Sequence, residues 1–312
     1  MEINTIRLIV IGSLHLFSSS NSSFSECVRN NISLFACSFI LSNQDYTENC
    51  NSQKDILQTT TFTSCSFNCE SSSGGGAICF HGTSSTLTVL DSTFNKCNST
   101  SGHGGAIYAY SCGRISVHKS TFIKCVVLSL YSGGGILTDG ASLSSEISRS
   151  NFISCSGGLD GGGMDIVRCT GDSEREYLPV KECKLISCIA NGYNGGSNND
   201  ADGGGLIFWD NACTLGISNS IFTKCESKKR GGGSFVVINK PSFSNVIRFC
   251  FYCENTAPGG RNALIHFNGS NWTPWNIVFF HSFRFDSSLS NSLAQNRPEA
   301  TAVSDNWYIQ QI

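Results

Sequence analysis

Aspartates beside glycine clusters are the residues in this chain whose type and spacing could do chemistry. Asp160 and Asp165 flank the glycines 161–163, and Asp202 precedes Gly203. Two or three carboxylates along one groove can cleave polysaccharides, because one acts as the acid and another as the base or nucleophile. An aspartate before glycine also forms tight turns, which requires no catalysis. The candidate carboxylates are Asp139, Asp160, Asp165, Asp200, Asp202 and Asp210.

Other patterns that resemble functional sites are incomplete. Residues 198–203 alternate oxygen-bearing side chains before a glycine, as calcium loops do, but no later glutamate completes the set. Cys250 and Cys253 form a C-x-x-C pair without the second pair of a zinc site. The basic run 228–230 is interpreted as a solvated turn. We therefore predict no catalytic, cofactor-binding or metal-binding residue.

An aromatic segment near the end of the chain has two interpretations. Residues 271–285 contain Trp272, Trp275 and several phenylalanines. A terminal coil with these side chains would cover the open end of a repeat core. Alternatively, the aromatic side chains would form a platform for sugar or protein partners.

A sequence repeat must position all of these residues. Glycine clusters alternate with Phe-x-x-Cys elements, and a fixed period indicates one supersecondary unit stacked on copies of itself. The glycine clusters lie at 74–76, 104–105, 133–135, 161–163, 203–205, 231–233 and 259–260. The predicted structural repeat residues are Gly75, Gly104, Gly134, Gly162, Gly204, Gly232, Phe62, Phe94, Phe122, Phe152, Phe222, Cys65, Cys97, Cys125, Cys155, Cys188, Cys225 and Cys253.

Residues 102–125 show the repeat unit most clearly. A short strand at 106–109 follows the glycines, 112–113 turns the chain, and Ile115-x-Val117 alternates like a half-buried strand. Phe122-x-x-Cys125 then directs both apolar side chains inward. This pattern predicts an all-β fold, a parallel β-helix of about eight to nine coils and about 40 Å in length.

The repeat assigns physical roles to its glycines and insertions. Glycine suits sharp bends because it adopts positive φ at little cost. Extra residues must lie in lateral loops such as 170–181 and 191–202, since an insertion within a strand would reverse its inward face. Such loops are common binding sites in repeat proteins.

Composition limits the function classes. The net charge is −2 and only 14% of residues are charged, which argues against nucleic acid as a partner. Seventeen cysteines suggest an oxidising compartment, although stacked thiols would also pack as small hydrophobes. Glycosylation sequons give weak support for secretion. They lie at Asn21, Asn31, Asn98, Asn268 and Asn271.

The two ends of the chain differ from the repeat. Residues 8–17 are apolar, as in a signal peptide, but they also fit a first coil, in which case an export signal would be missing or unusual. No run is long and apolar enough to predict a transmembrane segment. We expect one β-helix domain over residues 1–285, with the best-defined repeats at 60–260, and a polar tail over 286–312.

The repeat motif resembles that of a known family. Gly-Gly-Ala-Ile at 75–78 and 104–107, paired with Phe-x-x-Cys, is similar to the GGA[ILV]/FxxN repeat of polymorphic outer-membrane proteins and of related protist surface proteins. The departure is cysteine where the bacterial repeat often has asparagine. The resemblance implies a right-handed parallel β-helix and an adhesin-like surface or secreted scaffold. It implies no catalytic residue.

These observations lead to three functional hypotheses. The first is a non-enzymatic scaffold, extracellular or at a cell surface, that binds glycans or partner proteins without a cofactor. The second is a carbohydrate-active β-helix enzyme, favoured if the aspartates converge in one groove. The third is a partial gene product with no independent activity.

Overall fold

Alternating inward apolar residues and recurrent glycine corners wind this chain into a parallel β-solenoid. The computed structural model describes residues 8–10, 37–42, 45–46, 55–56, 59–71, 74–128, 130–141, 145–168, 177–192, 201–209, 214–238, 245–267, 277–280, 283–285 and 307–311. Within these ranges the ordered elements are strands, and none is a helix. The predicted all-β parallel β-helix is therefore confirmed, while its right-handed sense stays a prediction.

The strands are numbered in chain order. They are β1 (Leu8–Val10), β2 (Cys37–Ser42), β3 (Asp45–Tyr46), β4 (Asp55–Ile56), β5 (Thr60–Thr63), β6 (Ser66–Phe67), β7 (Glu70–Ser71), β8 (Ile78–Leu90), β9 (Thr93–Asn95), β10 (Asn98–Ser99), β11 (Ile107–His118), β12 (Thr121–Ile123), β13 (Val126–Val127), β14 (Ile136–Asp139), β15 (Glu146–Ser148), β16 (Asn151–Ile153), β17 (Ser156–Gly157), β18 (Met164–Val167), β19 (Tyr177–Lys181), β20 (Lys184–Ile186), β21 (Ile189–Ala190), β22 (Leu206–Trp209), β23 (Thr214–Ser218), β24 (Ile221–Thr223), β25 (Glu226–Ser227), β26 (Ser234–Ile238), β27 (Asn245–Arg248), β28 (Phe251–Cys253), β29 (Ala263–Phe267), β30 (Ile277–Phe280), β31 (Phe283–Phe285) and β32 (Trp307–Gln311).

The strands form three sheets of 17, nine and six strands. Each turn contributes two successive segments to the 17-stranded sheet, one strand to the nine-stranded sheet and one two-residue strand to the six-stranded sheet. Six turns of the described chain therefore carry strands on all three sheets, fewer than the eight or nine coils predicted. The two-residue strands, such as β10 and β13, were not predicted, because two residues carry no periodicity.

The predicted turn at 112–113 is instead a bulge within one strand. β11 runs from Ile107 to His118, and its pairing with β8 shifts register between Tyr110 and Arg114. Ser111 has a φ of 46° there. A bulge bends the strand without ending it, so the two segments of this turn stay in one continuous sheet.

Aromatic rings stack in a column along the interior. The ring centroids of Phe67, Phe94, Phe122 and Phe152 are 4.5, 4.6 and 4.6 Å apart, with planes within 3° of parallel. Leu185 occupies the next place, and Phe222 and Tyr252 follow with centroids 4.6 Å apart. Offset stacking of this kind stabilises the core beyond its area burial.

A second interior column is formed by cysteine thiols. Each Sγ of Cys97, Cys125, Cys155, Cys188 and Cys225 donates to a backbone carbonyl one turn earlier, at 3.3–3.5 Å. These cysteines are free thiols. Burial raises the pKa of the Cys125, Cys155 and Cys188 thiols well above its usual value, so they are protonated at neutral pH. Buried, protonated thiols are chemically inert, and here they act as packing groups.

The cysteine column ends in asparagine, which corrects the place predicted for Cys253. The Nδ2 of Asn255 donates to the carbonyl of Phe222 at 2.9 Å, in the role that Sγ has in earlier turns. Cys253 pairs with Thr223 on the partly exposed side of β28. The element in this turn is thus Tyr252-x-x-Asn255.

The first Phe-x-x-Cys element is also out of register. Phe62 pairs with Val89, not with Phe94, and the residue beside Phe94 is Phe67. Both corners of a turn have the same pattern: an inward apolar residue, a spacer, a residue of positive φ and a small inward residue. Phe62-x-x-Cys65 satisfies this pattern at the other corner, with Ser64 at a φ of 52°.

Serines line that other corner as a buried ladder. The backbone N–H of Ser92 donates to Ser120 Oγ at 3.2 Å, and that of Ser120 donates to Ser150 Oγ at 3.1 Å. Each hydroxyl donates in turn to a carbonyl two residues earlier, as Ser120 does to His118 at 3.1 Å. Cys65, Cys183 and Cys250 take the equivalent places in other turns. The ladder satisfies polar groups that the corner would otherwise bury without partners.

The glycine clusters hold two different positions. Gly75 and Gly104 have φ values of +69° and form the corner column of left-handed residues. Gly134, Gly162, Gly204 and Gly232 belong to the next position, where Gly105 is the counterpart of Gly134. A Cβ on Gly105 would lie 2.1 Å from the carbonyl oxygen of Gly134, so the adjacent turns could not approach as they do.

The ends of the described chain correct three expectations. β1 pairs antiparallel with β2, so Leu8–Val10 is not a coil of the parallel repeat, and residues 11–17 lie outside the described part. β19 shows that part of the predicted loop 170–181 is a strand. β32, in the expected polar tail, pairs in parallel with β29 and continues the long sheet. β30 and β31 pair with β27 and β28, as a further coil over 271–285 would.

Candidate functional site

Four of the six candidate aspartates lie on consecutive turns on the outside of the long sheet. Asp139 ends β14, Asp165 lies in β18, and Asp160 and Asp202 precede the corner glycines of their turns. Asp200 and Asp210 lie outside the described residues. The repeat thus brings Asp139, Asp160, Asp165 and Asp202 to one side of the solenoid, because their places in successive turns are similar.

Asp139 is held by an arginine from the next turn. The Nε of Arg168 donates to Asp139 Oδ1 at 2.7 Å, and its Nη2 contacts Oδ2. Arg168 follows β18 and has a φ of 48°, so a left-handed backbone directs its side chain back across the sheet. The Asp139 side chain is 18% exposed and the Arg168 side chain 62%. The carboxylate is therefore part of a bidentate ion pair at the surface.

Asp202 and Asp160 hold neighbouring corners together. The Nε of Arg230 donates to Asp202 Oδ1 at 2.9 Å, and the guanidinium lies 4.5 Å from the centroid of the Phe235 ring. Asp160 Oδ1 accepts the backbone N–H of Asp202 at 2.8 Å. These contacts show that the turn interpretation describes both aspartates. They also correct the view of 228–230 as a solvated turn, since Arg230 is paired and partly buried.

Asp165 is the exception, because it is buried without a cation among its described contacts. It is 2% exposed and lies between Leu137 and Ile207 in the column of outward side chains. Burial raises the pKa of this carboxyl well above its usual value, and the nearby charge of Asp160 raises it further. The indole N–H of Trp209 and the hydroxyl of Ser132 donate to it. Its Oδ1 has no hydrogen-bond partner in the described structure.

Aromatic side chains extend this surface toward earlier turns. The rings of His81 and Tyr110 stack with centroids 4.4 Å apart, and Tyr110 pairs with Asp139 across β11 and β14. Burial, assisted by the charge of Asp139, raises the pKa of Tyr108 to about 12. Burial lowers the pKa of His103, whose Nδ1 accepts the backbone N–H of Ser132 at 3.1 Å. His103 and Tyr108 are therefore neutral at physiological pH.

The structure places the two members of the C-x-x-C pair apart. Cys250 is fully buried in the serine column, whereas Cys253 lies on the partly exposed side of β28. Among the described residues, no group of three His, Cys, Asp or Glu side chains could hold a metal ion. Residues 198–200 of the calcium-like run lie outside those residues.

Trp209 and Arg168 were missed by the analysis of the sequence. Trp209 is the fourth residue of the strand after a glycine cluster, a place held by Tyr110 and Asp139 in other turns. That shared place was the available signal. To use this signal, one would have to know the register of the turn that contains Trp209, and the extra residues inserted in the sequence before Gly203 obscure that register.

Comparisons with protein-family models, curated proteins and solved structures found no match. The fold therefore supports the resemblance to polymorphic outer-membrane proteins only as far as a parallel β-solenoid with Gly-Gly-Ala-Ile corners. In the residues described, no helix has the length and apolar character needed to cross a membrane.

Proposed function

We propose that this protein is a non-enzymatic binding scaffold, extracellular or at a cell surface, that presents its outer face to glycans or partner proteins in the manner of an adhesin. The observation that carries this proposal is the outer face of the long sheet from Asp139 in β14 to Trp209 in β22. There an exposed tryptophan and an exposed arginine–aspartate pair are fixed on a rigid solenoid. Rigid presentation favours binding, because little conformational freedom is lost when a ligand is bound.

The geometry favours binding over hydrolysis. Glycoside cleavage needs two carboxyl groups that reach the substrate from opposite sides of the scissile bond. Asp139 and Asp202 are each engaged by an arginine, and Asp165 and Asp202 are 2% and 3% exposed. Asp139 and Asp202 stabilise the scaffold through these ion pairs, and burial separates Asp165 from solvent.

One observation favours the enzyme as a second candidate. Asp165 is a carboxyl of raised pKa beside a second carboxyl, Asp160, and such a pair can divide the roles of acid and base. The aspartates also lie on consecutive turns along one face. A catalytic role would require a movement that exposes Asp165.

An oligosaccharide array probed with the full chain tests both candidates. We expect retention of the protein on a subset of sugars, with no release of shorter oligosaccharides during incubation. Release of shortened products by the wild type, lost in Asp165→Asn, would instead establish the enzyme. Failure to bind any sugar or any surface-exposed protein of intact cells would contradict the scaffold.

Localisation is tested on protein recovered from its native cells. Asn98 is partly exposed at the start of a strand in the six-stranded sheet, so its sequon is open to modification. We expect a glycan on Asn98 and labelling of the protein by a membrane-impermeant reagent on intact cells. The buried thiols would stay reduced even outside the cytosol, because oxidants do not reach them. Bare sequons together with absence of surface labelling would contradict the proposed location.

A further inference from the structure

Trp209 is a large, exposed side chain on this outer face. It is 40% exposed at the end of β22 and pairs in register with Val167 of β18. Its indole N–H donates to Asp165, which lies two residues before Val167 on the same face. Diagonal neighbours of this kind are about 7–8 Å apart, within reach of an aromatic side chain. The indole is therefore held by Asp165, while 40% of the Trp209 side chain stays exposed.

The carboxyl of Asp165 is explained by its hydrogen bond to the Trp209 ring. The equivalent places in the turn before and in the two turns after are apolar and buried, with Leu137, Ile207 and Phe235 each 2–3% exposed, while Tyr108 lies one turn before Leu137. A carboxyl in such a column loses hydration, and its Oδ1 has no hydrogen bond in the described structure. An aliphatic residue would serve stacking better. The retained carboxyl supplies what an aliphatic residue lacks, an acceptor for the Trp209 N–H.

Polar side chains suited to sugar hydroxyls occupy nearby places on the same face. Arg168 follows Val167, the strand partner of Trp209, and its side chain, which carries guanidinium N–H donors, is 62% exposed. Asp139, on the turn before, adds carboxylate acceptors. The pair is already balanced in charge, so an anionic ligand would have to displace Asp139 from Arg168. An uncharged ligand with hydroxyl groups can hydrogen-bond to these donors and acceptors without displacing Asp139 from Arg168.

We propose that Trp209, Arg168 and Asp139 form a subsite for a neutral oligosaccharide, with one pyranose ring stacked on the indole and its hydroxyls bonded to the ion pair. Asp165 is a positioning residue that sets the orientation of the indole. This inference rests on the proposed binding function and names its ligand class and its location. The turns repeat along the axis, so a sugar chain would run parallel to the solenoid.

The test uses the full chain on an array of neutral and acidic oligosaccharides, with dissociation constants then measured for the best neutral sugar. We expect Trp209→Ala to weaken binding about tenfold or more, equivalent to about 1.4 kcal/mol. Leu130→Ala is the matched control, because Leu130 is 52% exposed and lies outside the subsite. It should leave the dissociation constant unchanged.

Two variants of Asp165 separate positioning from folding. Asp165→Asn keeps an acceptor for the indole N–H and should retain most of the affinity. Asp165→Leu removes it and should weaken binding while the unfolding midpoint is maintained or raised. Sugar binding should also change the indole fluorescence of the wild type, and this change should be lost in Trp209→Phe.

The possible results distinguish failure of the proposed subsite from failure of the proposed scaffold function. Neutral-sugar binding that survives Trp209→Ala would overturn the site and leave the scaffold function intact. Binding of acidic sugars alone would overturn the ligand class. A wild type that binds surface proteins but no sugar would overturn the subsite as a whole.

Discussion

Buried polar side chains are fully hydrogen-bonded at the interior corner of this solenoid but not on its outer face. Inside, Ser120 has partners on both sides, since its N–H donates to Ser150 Oγ and its hydroxyl donates to a carbonyl. Outside, Asp165 is equally buried, yet its Oδ1 has no hydrogen-bond partner in the described structure. The serine recurs in several turns, whereas Asp165 lies between the apolar residues Leu137 and Ile207. The repeated serines thus meet the hydrogen-bonding needs of the stacked turns. A buried carboxyl with an unpaired oxygen lowers stability, so Asp165 points to a role other than stacking.

The glycine corners leave the least space for an added side chain. Gly104→Ala should therefore cause the largest loss in the free energy of unfolding. Gly104 has a φ of +69°, and a Cβ there would lie 2.2 Å from the carbonyl oxygen of Ile107. We expect a loss of more than about 4 kcal/mol in the free energy of unfolding, or no folded protein.

Gly140→Ala is the matched control for this prediction. Its φ is +74°, but the nearest atoms to a new Cβ are 3.6 Å away. It should cost only the left-handed backbone term of about 1–2 kcal/mol. Urea unfolding measures both variants, and equal losses would mean that the corner backbone shifts easily to accept a methyl group.

The ring column gives the next largest effect. Phe122 is fully buried between Phe94 and Phe152, and Phe122→Ala should cost roughly 3–5 kcal/mol through the cavity it leaves. Phe122→Leu should be milder, because Leu185 occupies the same column naturally. Leu128→Ala, at a residue 47% exposed, should change stability by about 0.5 kcal/mol or less. A Leu128 effect as large as that of Phe122 would refute the assignment of the core.

The serine ladder should show a smaller effect. Ser120→Ala leaves the buried N–H of Ser92 without its acceptor, which should cost about 1–3 kcal/mol. Ser116→Ala, on the partly exposed side of β11, is the control and should be near neutral. Ser120→Cys should lie between them, since Cys183 holds an equivalent corner. No loss in Ser120→Ala would show that water replaces the hydroxyl.

The same contrast explains what could be predicted from the sequence. The parallel β-helix followed from the repeat, because each turn needs glycine corners and inward apolar residues. The register of Phe62 and Cys253 did not, since both corners share one spacing of apolar, left-handed and small residues. The outer face was the hardest to predict. Trp209 and Arg168 become neighbours only through strand pairing across a long insertion, and no local spacing contains that information.

The outer face is tested most directly by pH, with the smallest expected effect. An aspartate in the unfolded chain ionises near pH 3.9, whereas burial raises the pKa of Asp165 in the fold. Between these values the folded state binds more protons, so the contribution of Asp165 to stability is complete in acid and is lost as the pH rises through the folded pKa. Asp165→Asn removes this dependence, and its unfolding midpoint should gain on that of the wild type as the pH rises from 4 to 8.

Glu182 provides a control of opposite sign. Its pKa is lowered by the hydrogen bond from Arg149, so its contribution is present above the unfolded pKa and is lost in acid. Glu182→Gln should therefore weaken the protein near neutral pH, and this loss should shrink as the pH falls through the lowered pKa of Glu182. If both variants responded to pH in the same direction, Asp165 would not be neutral in the folded protein. The contrast between hydrogen-bonded serines inside and a destabilising aspartate outside would then be wrong. Opposite slopes would establish that this face retains a carboxyl at the expense of stability, as expected of a residue that serves binding.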